Sequence, residues 1–115
     1  KNVKIYPQVR PDVLKRLWET CDLYLDINHY REIHHAVRNA LWHHLLLLGF
    51  EETVHSRKLF MEEHVFSCAE PEKMVQRIKW LTGNAEASRM IQEKQRQRAY
   101  SLWENIQERL KQTEV

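Results

Sequence analysis

The stretch Asp22–Leu41, DLYLDINHYREIHHAVRNAL, decides the fold. Its first half, DLYLDI, reads as a buried strand that ends in polar residues. Its second half carries Ile33, Ala36, Val37, Ala40 and Leu41 at helical spacing, which predicts a helix over Tyr30–His44. A strand therefore runs straight into a helix. In α/β sheets that junction, at the carboxyl edge of the sheet and the amino end of a helix, is where ligands tend to bind. The polar residues Asp26, Asn28, His29, Tyr30 and Arg31 cluster there, and the junction has no glycine.

Working outward, NVKIYPQV (residues 2–9) is rich in β-branched and aromatic residues and reads as a short strand closed by Pro7. Pro11 and Asp12 open a helix in which Val13, Leu14, Leu17, Trp18 and Cys21 form one apolar stripe. On the other side, HLLLLGF (44–50) is a nearly continuous apolar run, as in a central strand covered on both faces. EETVHSRKLFM (51–61) reads as a loop with room for one helical turn, and EHVFSC (63–68) as a fourth strand. AEPEKMVQRIKWL (69–81) is a helix that buries Met74, Val75, Ile78, Trp80 and Leu81 and is stopped at Gly83. From Ala85 to Thr113 the chain is helix-forming and highly charged, with Ala99, Leu102, Trp103, Ile106 and Leu110 as a sparse apolar stripe over one or two helices.

Strands alternating with helices predict parallel pairing through right-handed crossovers. The expected architecture is α/β, a three-layer Rossmann-like parallel sheet of about four strands with a helical C-terminal tail. Residues 1–115 are expected to form a single domain, with residues 85–113 as the tail. A chain of 115 residues is long enough for one core. Its net charge of +2 makes no argument for nucleic acid, and the longest apolar run is too short to span a bilayer. Cys21 and Cys68 lie in no metal-binding spacing and read as reduced, buried thiols of a cytoplasmic protein. The abrupt start on KNVKIYP reads as a piece cut from a longer chain.

Five of the seven histidines, His29, His34, His35, His43 and His44, fall around the second helix. Neighbouring histidines point about 100° apart on a helix, so neither pair converges on a metal, and no metal site is expected. The pairs Glu51–Glu52 and Glu62–Glu63 fall in loops and read as solvated. The four tryptophans sit at apolar positions of helices and read as core. RMIQEKQRQR (89–98) reads as a solvated helix face. At the junction two readings stand together: an anion met by helix N–H groups and Arg31, or Asn28 as a simple helix cap.

The order of elements, closing on YSLWENIQERL (100–110), resembles the second half of the C-terminal nucleotide-binding domain of GT-B glycosyltransferases of the family 4 group. The resemblance covers almost the whole chain. In that group two glutamates flank a glycine-rich turn. Laying AVRNAL on the motif puts His29 at the first glutamate and Val37 at the second, so the resemblance implies a degenerate donor site. CDLYLDINHYREIHHAVRNAL with LLLLGFEETVHS is more similar still to the stabilising subunit of the bacterial accessory-Sec O-GlcNAc glycosyltransferase pair. That resemblance implies a stabilising or acceptor-binding role in O-glycosylation of serine-rich adhesins, beside a catalytic glycosyltransferase subunit. It also implies UDP-GlcNAc as donor of the intact complex, no cofactor of this chain's own, and membrane contact only through the partner. An active retaining transferase with donor contacts from Arg31, Asn28 and His29 is the alternative, and an unrelated flavodoxin-like domain the third reading. A homodimer through an open sheet edge is also expected.

Overall fold

The computed structural model describes residues 3–6, 10–32 and 35–113. Strand β1 (Leu23–Asp26), strand β2 (Leu46–Phe50) and strand β3 (Val65–Phe66) form a parallel sheet in the order β1-β2-β3. The central strand is the apolar run, and its side chains alternate between two buried faces. Leu47 and Leu45 pack with Val37 and Ala40 of helix α2 (Ala36–Trp42) and with Phe60, while Trp18 of helix α1 (Pro11–Thr20) closes the edge of this cluster. Leu46 and Leu48 face the other way, onto Met74 and Leu81 of helix α3 (Pro71–Gly83) and Ile91 of helix α4 (Ala85–Thr113). The result is the three-layer arrangement, with helices on both faces of the sheet.

Among the described residues the sheet has three strands rather than about four. Val3–Tyr6 is not strand, and Val3 and Ile5 are 78% and 83% exposed. β-branched composition favours a strand only where a neighbour supplies hydrogen bonds and a packing surface, and nothing described offers these residues either. The remainder of NVKIYPQV, residues 2 and 7–9, lies outside the described residues. The last strand is cut to two residues because Glu62–His64 coil into a 3-10 turn before it.

Two helix boundaries also differ. Helix α2 begins at Ala36, six residues after Tyr30, with His35 in the left-handed conformation at φ 53°. Helix α3 runs through Gly83 in ordinary helical geometry and ends at Asn84, whose side-chain amide donates to the Trp80 carbonyl. Asn84, not Gly83, is the stop.

The 29-residue α4, about 43 Å long, is fastened to the sheet by an amide as well as by the apolar contact of Ile91. Alternate residues of β2 aim their backbone groups to opposite sides, and the Leu46 N–H goes to the Asp22 carbonyl on the β1 side. On the other side β3 pairs only with Gly49 and Phe50. There the buried Gln95 side chain accepts the Leu47 N–H at 3.0 Å and donates to the Leu45 carbonyl at 2.8 Å. Gln92 adds a bond to the His44 carbonyl. A face read as solvated thus supplies the missing strand edge through two side chains. The tryptophans depart in the other direction. Only Trp18 packs against the core, while Trp42, Trp80 and Trp103 are 81%, 43% and 56% exposed. Cys21 and Cys68 are free and exposed, not buried.

Candidate functional site

The carboxyl end of β1 is built around Asp26, whose side chain is only 3% exposed. Its backbone pairs in register with Gly49 of β2. A Cβ at Gly49 would lie 2.9 Å from the Asp26 carbonyl oxygen and run into Val54, so glycine is needed for close approach, not for an unusual backbone angle. Thr53, in the turn after β2, donates its hydroxyl to the same carbonyl at 2.7 Å. Two residues on, His55 folds back over the carboxylate. Its backbone N–H donates to Oδ2 at 2.6 Å, and its Nδ1 lies 2.9 Å from Oδ1. The other ring nitrogen, Nε2, lies 2.9 Å from the carbonyl oxygen of Tyr30. The hydrogen bond to Asp26 raises the His55 pKa above its ordinary value, and partial desolvation opposes that rise.

The connecting loop, Ile27–Glu32, carries the remaining candidate residues on its outside. Asn28, His29, Tyr30 and Arg31 are all exposed. The Asn28 side-chain oxygen accepts the Tyr30 N–H at 2.9 Å, a local turn bond rather than a helix cap. The cap of α2 comes from Glu32, whose carboxylate accepts the Val37 N–H at 2.9 Å. A donor at the amino end of the helix is thus already matched with a negative charge from this chain, and Arg31 stands before that end, not in its first turn.

The structure therefore brings Asp26 and Tyr30 together through His55 and leaves Asn28, His29 and Arg31 facing solvent. His55 and Glu32 were not among the residues the sequence singled out. His55 stands alone in a loop, and no spacing marks it. Glu32 could be found as the carboxylate immediately before the helical apolar stripe. Among the described residues no three histidine, cysteine, aspartate or glutamate side chains converge as a metal site. An open groove of about 450 Å³ lies along α4 instead, lined by His44, Arg89, Gln92, Glu93 and Arg96, away from this junction.

A second histidine sits across the sheet. His64, just before β3, is fully buried, and its Nε2 accepts the Arg77 Nε–H at 3.3 Å. Arg77 in turn lies over the Trp80 ring, 4.6 Å from its centroid. Burial, helped by the Arg77 charge, pushes the His64 pKa down to about 4, so this ring is neutral at neutral pH.

Residues 1–97 match the GftB/GlyA-F C-terminal domain. The chain belongs to that family. This GftB/GlyA-F domain is 39% identical over 98 residues to the UDP-N-acetylglucosamine–peptide N-acetylglucosaminyltransferase stabilizing protein GtfB of Streptococcus pneumoniae serotype 4, which matches 85% of this chain and 22% of that protein. It is 35% identical over 82 residues to the glycosyltransferase GlyB of the same organism, covering 71% of this chain and 20% of that one. Among solved structures it superposes on a chain of the GtfA/B complex bound to UDP and GlcNAc with a TM-score of 0.75 and 31% identity, over 92% of this chain and 25% of the other. The GftB/GlyA-F domain thus spans about a fifth to a quarter of the length of these relatives.

Proposed function

We propose that this chain is the C-terminal part of a stabilising, non-catalytic GT-B glycosyltransferase subunit, and that its strand-to-helix junction serves an acceptor or partner instead of a nucleotide sugar. The observation that carries the reading is the Glu32 carboxylate on the Val37 N–H. A donor pyrophosphate at that helix end would have to displace a built-in anion and then face its charge, and the junction has no glycine through which the backbone could approach closely. Relatives named as stabilizing proteins support the same reading.

The partner is then a catalytic glycosyltransferase subunit, a choice supported by the likeness to a chain of a two-protein complex. Serine-rich protein is the acceptor, UDP-GlcNAc the donor held by the intact complex, and Asn28, His29, Tyr30 and Arg31 the contact residues. No described helix is long and apolar enough to cross a membrane, and a cytoplasmic location fits the reading. Among the described residues β1 pairs only with β2, so its outer edge supports self-association, which sedimentation velocity over a dilution series checks.

Calorimetric titration of the chain with UDP and UDP-GlcNAc tests the central claim. The expected result is no binding in the micromolar range. Micromolar binding that Arg31→Ala abolishes would overturn it in favour of an active retaining transferase, a reading favoured by the relatives named glycosyltransferases.

A further inference from the structure

Among the described residues, an imidazole ring joins the middle of the loop Ile27–Glu32 to the end of the sheet. His55 sets Nδ1 at 2.9 Å and 3.1 Å from the two carboxylate oxygens of Asp26, and Nε2 at 2.9 Å from the Tyr30 carbonyl oxygen. An ionised carboxylate and a carbonyl can only accept. A neutral imidazole has one N–H and one lone pair, so either neutral tautomer would aim a lone pair at an oxygen within hydrogen-bond distance. Only the imidazolium satisfies both contacts.

The remaining geometry fixes which contact yields. The His55 backbone N–H is bonded to Asp26 at 2.6 Å, which anchors the residue beside that carboxylate whatever the ring does. A ring that loses its Nε2 proton keeps the charge-assisted bond to Asp26 and turns a lone pair on the Tyr30 carbonyl. The charged groups that face His55 among the described residues are Asp26 from β1 and Glu32 from the loop, both carboxylates that favour the charged ring.

We propose that His55 is a proton-operated latch: as an imidazolium it holds the Ile27–Glu32 loop on the sheet edge, and on deprotonation it lets go of Tyr30 and frees the loop. The device acts on the segment that displays Asn28, His29 and Arg31, so it would switch the posture of those side chains whatever they meet. It stands independently of the stabilising-subunit reading. The direction is opposite to that of a histidine switch that opens in acid: the raised His55 pKa keeps the latch closed at and below the ordinary histidine range, and the loop opens as pH rises through the raised value.

Imidazole nitrogen NMR of the 115-residue chain, with backbone relaxation of residues 28–31 over the same pH series, is the test. We expect both His55 nitrogens to be protonated at the ordinary histidine pKa, about 6.5. Loop order parameters should then fall from about 0.85 towards 0.6 as the ring loses its proton. His55→Gln should hold the loop in the mobile state at every pH. A neutral His55 at the ordinary histidine pKa, or a loop whose order is unchanged while His55 deprotonates, would overturn the latch. The wild-type titration decides the matter even if the variant does not fold.

Discussion

The two flanks of β2 are closed by different chemistry. On the β1 flank a full ladder of four pairs ends in an ionic knot, Asp26 and His55, under an exposed loop. On the β3 flank the ladder has two pairs, and the rest is closed by neutral groups: the Gln95 amide, with the buried neutral ring of His64 nearby in sequence to β3. The ionic flank can respond to pH near neutrality because its charged form is the bonded one. The neutral flank can respond only to acid, because there protonation is what burial opposes.

The largest effect expected is on the neutral flank. Gln95→Ala leaves the buried Leu47 N–H and Leu45 carbonyl without partners and opens a cavity. Each orphaned group costs about 1–3 kcal/mol, so a loss of about 4 kcal/mol is expected in urea unfolding at pH 7. A loss under about 1 kcal/mol would mean that water replaces the amide and that the two flanks are equally wet.

Acid should then separate the flanks. The His64 pKa is held at about 4 in the fold, below its unfolded value, so between those two values the unfolded chain binds the extra proton. Stability therefore falls as pH drops from about 6.5 to 4, by about 3 kcal/mol in total for this one buried group. His64→Gln should flatten that slope. Substitution at Asp26 does the reverse. The raised His55 pKa stabilises the fold below the unfolded value, and that contribution is lost as pH climbs through the folded value. Asp26→Asn should cost about 2 kcal/mol near pH 6 and less in alkali, and it should bring the His55 titration down. Equal pH slopes for Asp26→Asn and wild type would break the contrast.

How much of this was legible in the sequence follows from the same contrast. The apolar run Leu45–Leu48 carries the pattern of a central strand, and as β2 it sets the layers around it. NVKIYP has the residues of a strand, but among the described residues Val3–Tyr6 meet no neighbouring strand. Helix α2 starts later than its apolar spacing predicts, with Glu32 capping it from outside and Asn28 making only a local turn bond. His55 and His64 each act through a partner distant in sequence, Asp26 and Arg77, which no local spacing reveals. Gln95 did leave a trace: Ile91, Gln95, Ala99 and Leu102 follow helical spacing, and all four are at least partly buried. One amide stands within an apolar stripe, and charge counting along the helix hid it.

That stripe also divides α4, and the smallest predicted effect lies on its far side. The stretch to Ala99 holds Ile91 and Gln95 against the sheet, and the Arg98 guanidinium reaches the Lys58 carbonyl at 2.5 Å. Beyond it Tyr100, Trp103 and Ile106 are 63%, 56% and 51% exposed. Trp103 has the position of an anchor in the sequence, where a buried ring would cost roughly 3–5 kcal/mol on truncation. With more than half of the residue in solvent, Trp103→Ala should instead change stability by less than about 0.5 kcal/mol. Parallel urea curves for Gln95→Ala and Trp103→Ala measure the contrast within one helix: the same segment is held by a side chain that reads as polar surface and is barely affected at one that reads as core. A Trp103→Ala loss approaching that of Gln95→Ala would show that the outer half of α4 folds back onto the domain in solution, and the docked part would then extend past Ala99.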